Sequence, residues 1–396
     1  MNDDASPDRR PLPYDGLRVV ELAGDPAGEL LGKLLAQYGA DVVKVEPPAG
    51  SATRRIGPFA AGQEDPDRSL TFWYYNTGKA SLVLDLPAQQ AELDALLDRG
   101  DVVIVSAPPA DFPRLGIDLG TLPNRERLIS CCITPFGLTG PWKDYRSSDL
   151  VALAAGGILN SCGYDDHSIP PIRPAENQAF HIAASFAHQA VLLALLERDA
   201  TGRGQTLDVA IHDCVAVSGE LANPFWFYPE VLVQRQTCRH AQPAPTAPAL
   251  FATLDGRYVY FALVLADIKP WNALVEWMGA LGMAADLTEP EYAHLVHRQA
   301  RFPHIQSILE AFCLVQDAET LYHEGQARGL PIAVVNSPDE VIHDEHLSAR
   351  GFFQRVERDG EFVGVYPGPP IQFSSYRAAP PTPPPRLGAS GGEVWG

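Results

Sequence analysis

From Leu17 to Leu22 the chain reads Leu-Arg-Val-Val-Glu-Leu, a short, mostly apolar run of strand length. The Gly-rich turn Ala23–Gly28 follows, then apolar positions at helical spacing from Leu30 to Tyr38, with Gly39 placed as a C-cap. Asp41-Val-Val-Lys-Val-Glu46 is a second strand. Strand, helix and strand within roughly 30 residues predict a βαβ unit with parallel pairing. The alternation continues through strands at Ser81–Asp85, Val102–Val105 and Leu128–Ile133, with a helix at Gln89–Asp98. Such a pattern predicts a doubly wound parallel sheet over about the first 140 residues.

A Gly-punctuated helical stretch, Asp149–Leu159, and a loop, Ser161–Pro174, precede the strongest helical pattern, Ala179–Arg198, which stops at Thr201-Gly-Arg-Gly204. From Leu250 the rhythm changes. Phe251–Asp255 and Tyr258–Phe261 read as a hairpin around Asp255-Gly256. Helices at Pro270–Leu281, His304–Phe312 and Ala318–Arg328 follow, then a strand at Pro331–Val335 and a short helix at Pro338–Ile342. Phe362–Tyr366 and Ile371–Phe373 read as a late strand pair, and the Pro/Gly/Ala-rich chain after Tyr376 as an irregular arm.

Composition narrows the function classes. With 396 residues, 46% hydrophobic and 20% charged, the bulk is too apolar to be disordered and long enough for more than one core. The formal net charge of −19 argues against nucleic-acid or anionic-membrane binding, since both need a cationic face. Six cysteines form no C-x-x-C pair, so no zinc site is expected. Met1–Tyr14 lacks an apolar core of the secretory kind, and no uninterrupted apolar run reaches about 18 residues. The expectation is a reduced, cytoplasmic protein without a membrane span.

Local chemistry leaves its choices open. Gly24–Gly28 between strand and helix has the place of a phosphate cradle, but without G-x-G-x-x-G spacing it is equally a plain tight turn. Arg54-Arg55 beside Gly57-Pro58 reads as an anion clamp or as solvated surface. No G-x-S-x-G, H-E-x-x-H or P-loop occurs. His181 and His188 lie two turns apart on one helix face, which suits packing as well as catalysis.

Seven blocks carry a resemblance: Gly16-Leu-Arg-Val-Val-Glu-Leu22, Gly39-Ala-Asp-Val-Val-Lys-Val-Glu-Pro-Pro48, Asn76-Thr-Gly-Lys-Ala-Ser-Leu-Val-Leu-Asp-Leu86, Cys132-Ile-Thr-Pro-Phe-Gly-Leu-Thr-Gly-Pro141, Thr201-Gly-Arg-Gly-Gln-Thr-Leu-Asp-Val209, Gly329-Leu-Pro-Ile-Ala-Val-Val-Asn-Ser337 and Gly368-Pro-Pro-Ile371. In that order they resemble the family III CoA-transferases, of the carnitine dehydratase and bile-acid-inducible F type. The resemblance implies a large doubly wound α/β domain made from both chain ends, a smaller α+β domain, and an interlinked homodimer. It sets the large domain at residues 1–224, the small one at 225–325, a return segment at 326–376 and the arm at 377–396. It further implies coenzyme A as part of an acyl-CoA substrate, a carboxylic acid as second partner, and no metal. By position, Ala27, Gly28, Arg54, Arg55, Lys79 and Arg114 are the candidate CoA contacts.

The resemblance breaks at the chemistry. Its transferases attack the thioester with an Asp just before the long helix. Counting back from Thr201-Gly-Arg-Gly204 or forward from Pro170-Pro-Ile-Arg173 sets Phe180 there, and a phenyl ring forms no anhydride. Ser148 stands where the racemase branch has a His, Ser106-Ala-Pro108 replaces a polar Asn-Phe-Arg stretch, and Arg239-His-Ala-Gln-Pro243 lacks the glycines of the formyl-CoA transferase loop. Three readings follow. Glu176 replaces the Asp in a CoA-transferase; His181 serves as general base in an isomerase, dehydratase or lyase; or the chain is a non-catalytic acyl-CoA-binding partner of an active homologue.

Overall fold

The computed structural model describes residues 12–262, 267–358, 361–376, 380–391 and 394–395 of the chain. Their contacts divide it into two units: residues up to Ile158 with Pro174–Gly219 and everything from Asp344, and Leu159–Arg173 with Glu220–His343. The sequence reading set the return at residue 326; by contacts the chain passes back at Asp344.

The first unit holds a six-stranded sheet: β1 (Arg18–Ala23), β2 (Asp41–Glu46), β3 (Ala80–Val83), β4 (Val102–Ser106), β5 (Ile129–Thr134) and β6 (Thr206–Ala210). Every pairing is parallel, and the order is β3-β2-β1-β4-β5-β6. The alternation predicted this doubly wound sheet from its first five strands; the sixth, β6, comes from beyond the 140 residues that the alternation covered. Strands β1, β2, β4 and β5 are buried almost throughout, because helices cover both faces of such a sheet. The helices are α1 (Pro26–Gln37), α2 (Leu70–Tyr75), α3 (Gln90–Arg99), α4 (Asp149–Ala155), α5 (Gln178–Thr201) and α6 (Ile211–Val217). Helix α5 is long and apolar enough to cross a membrane by composition alone; here it packs on α1, α4, α6, β5 and β6.

Beneath α1 lies an ion network whose side chains are wholly buried. Lys44 Nζ is 2.9 Å from both Glu21 and Glu29, Lys79 Nζ is 2.7 Å from Glu21, and Arg54 Nε is 2.7 Å from Glu46. Three acids meet three bases, so the interior carries no net charge from them. Burial works against the Lys44 charge, but Glu21, Glu29 and Glu46 outweigh it and hold its pKa above the ordinary lysine value. Gly32 keeps this arrangement possible: a Cβ there would stand 1.9 Å from Glu21 Oε2.

The chain's last part corrects one expectation. Strand β13 (Glu361–Pro367) pairs antiparallel with β12 (Phe353–Arg358), upstream of it, and Ile371–Phe373 is not a strand. Pro369 and Pro370 supply no amide hydrogens and stop the chain from continuing a ladder. The expected arm has no helix or strand among its described residues, while 377–379, 392–393 and 396 lie outside them. It is nonetheless tied down. Ser390 N donates to Ser81 O at 3.1 Å, Ser81 N to Ser390 Oγ at 3.2 Å, and Gly388 N to Ser81 Oγ at 3.0 Å. These bonds cover the free edge of β3. Val394 and Trp395 are buried in the same core cluster as Val20, Leu22 and Val103. Trp395→Ala is therefore expected to lower the stability of this unit by about 3 kcal/mol, read as a shift of its denaturant midpoint.

The second unit contains a sheet of order β11-β10-β9, from β9 (Leu250–Ala252), β10 (Tyr258–Phe261) and β11 (Ile332–Val334). A hairpin of β7 (Gln234–Gln236) and β8 (Arg239–Gln242) lies apart from it. Helices Ile268–Ala280, Phe302–Leu314 and Ala318–Ala327 close a core around Trp271, Trp277 and Phe312.

Candidate active site

In a doubly wound sheet the strand order reverses at one point, here between β1 and β4, and ligands bind outside the carboxyl ends of the strands there. Asp25 occupies that point. It N-caps α1, with Pro26 in the first turn, and its Oδ1 accepts from Ala27 N at 2.9 Å and Gly28 N at 3.3 Å. Ser106 Oγ, at the end of β4, lies 2.7 Å from both Asp25 oxygens. Burial raises the Asp25 pKa to about 6, against the pull of these hydrogen bonds. Gly28 permits the close approach, since a Cβ there would meet Ala23 Cβ at 2.5 Å and Ser106 Cβ at 2.6 Å.

The other CoA candidates are distributed as follows. All five Arg54 donor hydrogens are taken up within the unit, by both Glu46 oxygens, Asp67 and the carbonyls of Pro66 and Pro385. Its guanidinium stacks 3.6 Å from the Phe72 ring centre. Lys79 Nζ, just ahead of β3, bonds to Glu29 O at 2.7 Å and Asn76 Oδ1 at 2.8 Å besides its ion pair with Glu21. Arg55 donates to the carbonyls of Ala49 and Gly50 and keeps an exposed side. Arg114, in the turn after β4, is largely exposed, with Asp111 at 3.8 Å. Of the four cationic candidates, Arg55 and Arg114 thus face solvent.

The start of α5 gathers a second group. Asp149 Oδ1, at the first turn of α4, accepts from Ala179 N at 2.8 Å. Tyr75 Oη, at the end of α2, lies 2.7 Å from His181 Nε2 and accepts from Asn177 Nδ2 at 3.2 Å. Asn177 donates to the Tyr75 oxygen, and one hydrogen joins that oxygen to His181 Nε2, so the hydroxyl ties the loop before α5 to the imidazole. Glu176 stands one residue before Asn177, exposed, with a left-handed backbone at φ 64°. Phe180 is half-buried in the first turn of α5. Tyr74 and Lys33 complete the surroundings: Lys33 Nζ donates to Tyr74 O at 2.7 Å and lies 4.0 Å from the Tyr74 ring centre.

The electrostatics of this group follow from burial and Glu176. Burial pushes the Tyr75 hydroxyl up to about 12, with Tyr74 and Glu176 adding to it and the Asn177 bond opposing. Burial likewise lowers Lys33 to about 8, aided by Lys79. Burial lowers His181 below the ordinary 6.5, opposed by Asp149 and Glu176 and aided by Lys33. The stability contributed by the neutral ring is full above pH 6.5 and is lost as the pH falls through the lowered value. An NMR titration of His181 is expected to find a midpoint below 6.5; one at or above it contradicts the burial. No group of three or more His, Cys, Asp or Glu side chains suited to a metal occurs among the described residues.

Sequence reasoning singled out Glu176 and His181 but missed Tyr75, Asn177, Asp149 and Asp25. Asp25 had a legible signal, since Asp-Pro after a strand is an N-cap followed by a favoured first helical residue. Tyr75 had none, because it meets His181 across 106 positions of sequence.

An acidic side chain displayed before a long helix, on a doubly wound sheet in a unit that draws on both chain ends, is the frame of an α/β enzyme built for a small-molecule substrate. Residues 14–391 match the model for CoA-transferase family III, and the chain belongs to that family. It is 30% identical over 369 residues to succinyl-CoA:(R)-benzylsuccinate CoA-transferase subunit BbsE of Thauera aromatica, covering 91% of this chain and 88% of the relative. It is also 30% identical over 398 residues to succinate–glutarate CoA-transferase of Agrobacterium fabrum, covering 98% and 96%. A solved CAIB/BAIF family protein from Brucella suis superposes with a TM-score of 0.83 at 26% identity, over 96% of this chain and 98% of that one. The chain is accordingly an acyl-CoA-processing enzyme of the transferase kind.

Proposed function

We propose that this chain moves CoA between an acyl-CoA thioester and a free carboxylic acid, with Glu176 carrying the acyl group and then CoA. The observation that carries this reading is the backbone of Glu176. Its left-handed turn stands immediately before α5 and displays the exposed carboxylate at the helix start, four residues ahead of Phe180. Asn177, bonded to Tyr75, anchors the turn from its other side.

The chemistry balances without redox change or net proton transfer. A Glu176 oxygen attacks the thioester carbonyl, the C–S bond breaks, and its electron pair leaves as CoA thiolate, giving a mixed anhydride. The thiolate then attacks the glutamyl carbonyl and releases the donor acid as a carboxylate, leaving a glutamyl-CoA thioester. The acceptor carboxylate attacks that thioester, and the freed thiolate takes the new acyl group. His181, neutral and held by Tyr75, adds no positive charge that would pair with the nucleophile.

An interlinked homodimer belongs to the same proposal. Leu192, Leu193 and Leu196 on α5 and Val217 on α6 are exposed, an apolar display that suits a second copy. A cytoplasmic setting is supported by the six cysteines, all of them free thiols.

The test is the mass of the pure protein after brief incubation with a panel of acyl-CoAs, followed by peptide mapping. A CoA adduct on Glu176 is expected, and a native-mass measurement of the same samples reads a dimer; adduct elsewhere, or a monomer, overturns the corresponding part. Phe180 favours a second reading, a non-catalytic subunit working with an active homologue; the Thauera relative is itself named as a subunit. On that reading the wild type acquires no adduct, while Phe180→Asp does.

A further inference from the structure

The loop after β5 and the first turn of α6 line an open aromatic cleft that the transfer chemistry leaves unused. Its volume is about 230 Å³; Phe136, Pro141, Trp142 and His212 form its walls, and Thr139 and Asp213 are its polar groups. The Trp142 ring stands at 80° to Phe136, with centroids 5.9 Å apart, and at 89° to His212, also at 5.9 Å. Tyr145 stacks on Trp142 at 6.3 Å and 16°. Trp142 is 47% exposed, yet rings on three sides hold it. A face of aromatic rings kept open in this way is a receptor for another ring.

Size and place define what enters. Clefts for whole drug-sized ligands run to about 300–1,000 Å³, so this one takes a single ring and not an entire acyl-CoA. It opens beside Thr134 and Ala210, the last residues of the adjacent parallel strands β5 and β6, on the carboxyl edge where such sheets bind ligands. The same loop leads to Asp149, whose carboxylate caps Ala179 at the start of α5. Asp149 lies four residues on from Tyr145, a chain reach of at most about 14 Å. Asp213, with its Oδ1 3.4 Å from His212 Nδ1, disfavours a ring that carries a carboxylate of its own.

We propose that this cleft binds an aryl group on the acyl chain, so that the substrate thioesters are arylalkanoyl-CoAs. This rests on the transferase reading of the α5 start, and the experiment separates the two. Turnover of phenylacetyl-CoA and acetyl-CoA as donors is compared in the wild type and Trp142→Ala. The wild type is expected to prefer phenylacetyl-CoA by about tenfold or more in kcat/KM, the scale of an apolar-pocket contact. Trp142→Ala removes that preference while its acetyl-CoA turnover stays within about twofold of the wild type. No wild-type preference, or an equal loss with both donors, overturns the proposal. If neither thioester is turned over, the transferase reading fails, and the cleft is judged by fluorescence with Trp142→Phe as the blank. Saturable quenching of Trp142 by phenylacetyl-CoA, absent with acetyl-CoA, supports the aryl site; equal or no quenching by the two overturns it.

Discussion

Glu176→Gln is expected to reduce CoA exchange between thioester and acid by at least about a thousandfold, since loss of a covalent nucleophile removes a whole reaction path. The amide keeps the size of the side chain but is too weak a nucleophile to take the acyl group as an anhydride. The CoA adduct should vanish with the activity, and hydroxylamine should cleave it from the wild type only. Glu176→Gly provides a second check, because glycine adopts φ 64° without strain and leaves the turn intact. It should be as inactive as the amide while folding at least as well. Full exchange in either variant would remove Glu176 from the mechanism.

Arg54→Ala is expected to cost about 3–5 kcal/mol of stability, the range for breaking one side of a buried ion pair. The substitution leaves Glu46 buried with a charge and withdraws donors from Asp67, Pro66 and Pro385. The pH dependence carries the sign. Burial opposes ionisation of Glu46, but Arg54 and Lys44 hold its pKa down to about 2, from an ordinary 4.5. The resulting stability is present above pH 4.5 and lost as the pH falls through about 2. In the variant burial is less opposed, so the difference from wild type should be largest near neutrality and shrink in acid. Denaturant midpoints across pH measure it. An unchanged midpoint with a raised KM for acyl-CoA would instead return Arg54 to the role of a CoA contact.

Much of the architecture was legible from periodicity alone. The apolar runs at 17–22, 41–46, 102–105 and 128–133 are strands because a parallel sheet covered on both faces tolerates few polar residues. The hairpin at 251–261 and the helices after it followed from turn chemistry and from helical spacing. Beta-strand pairing was less accessible. The partner of β13 is upstream, at β12, and nothing in a strand's own residues states which neighbour it will choose.

The candidate site divides along the same line. Glu176 and His181 could be named because they flank the first turn of a long, largely apolar helix. Whether a charge serves a ligand or the interior could not be read. Arg54 and Lys79 look in sequence like Arg55 and Arg114, and only the fold brings Glu46 to one and Glu21 to the other. By itself the sequence determined the order and kind of the first five sheet strands and of α1, α3 and α5, since these follow from spacing over a few residues. The tertiary structure decided which polar groups meet, because a buried polar group takes its function from its partners, and His181 finds its partner Tyr75 across 106 positions.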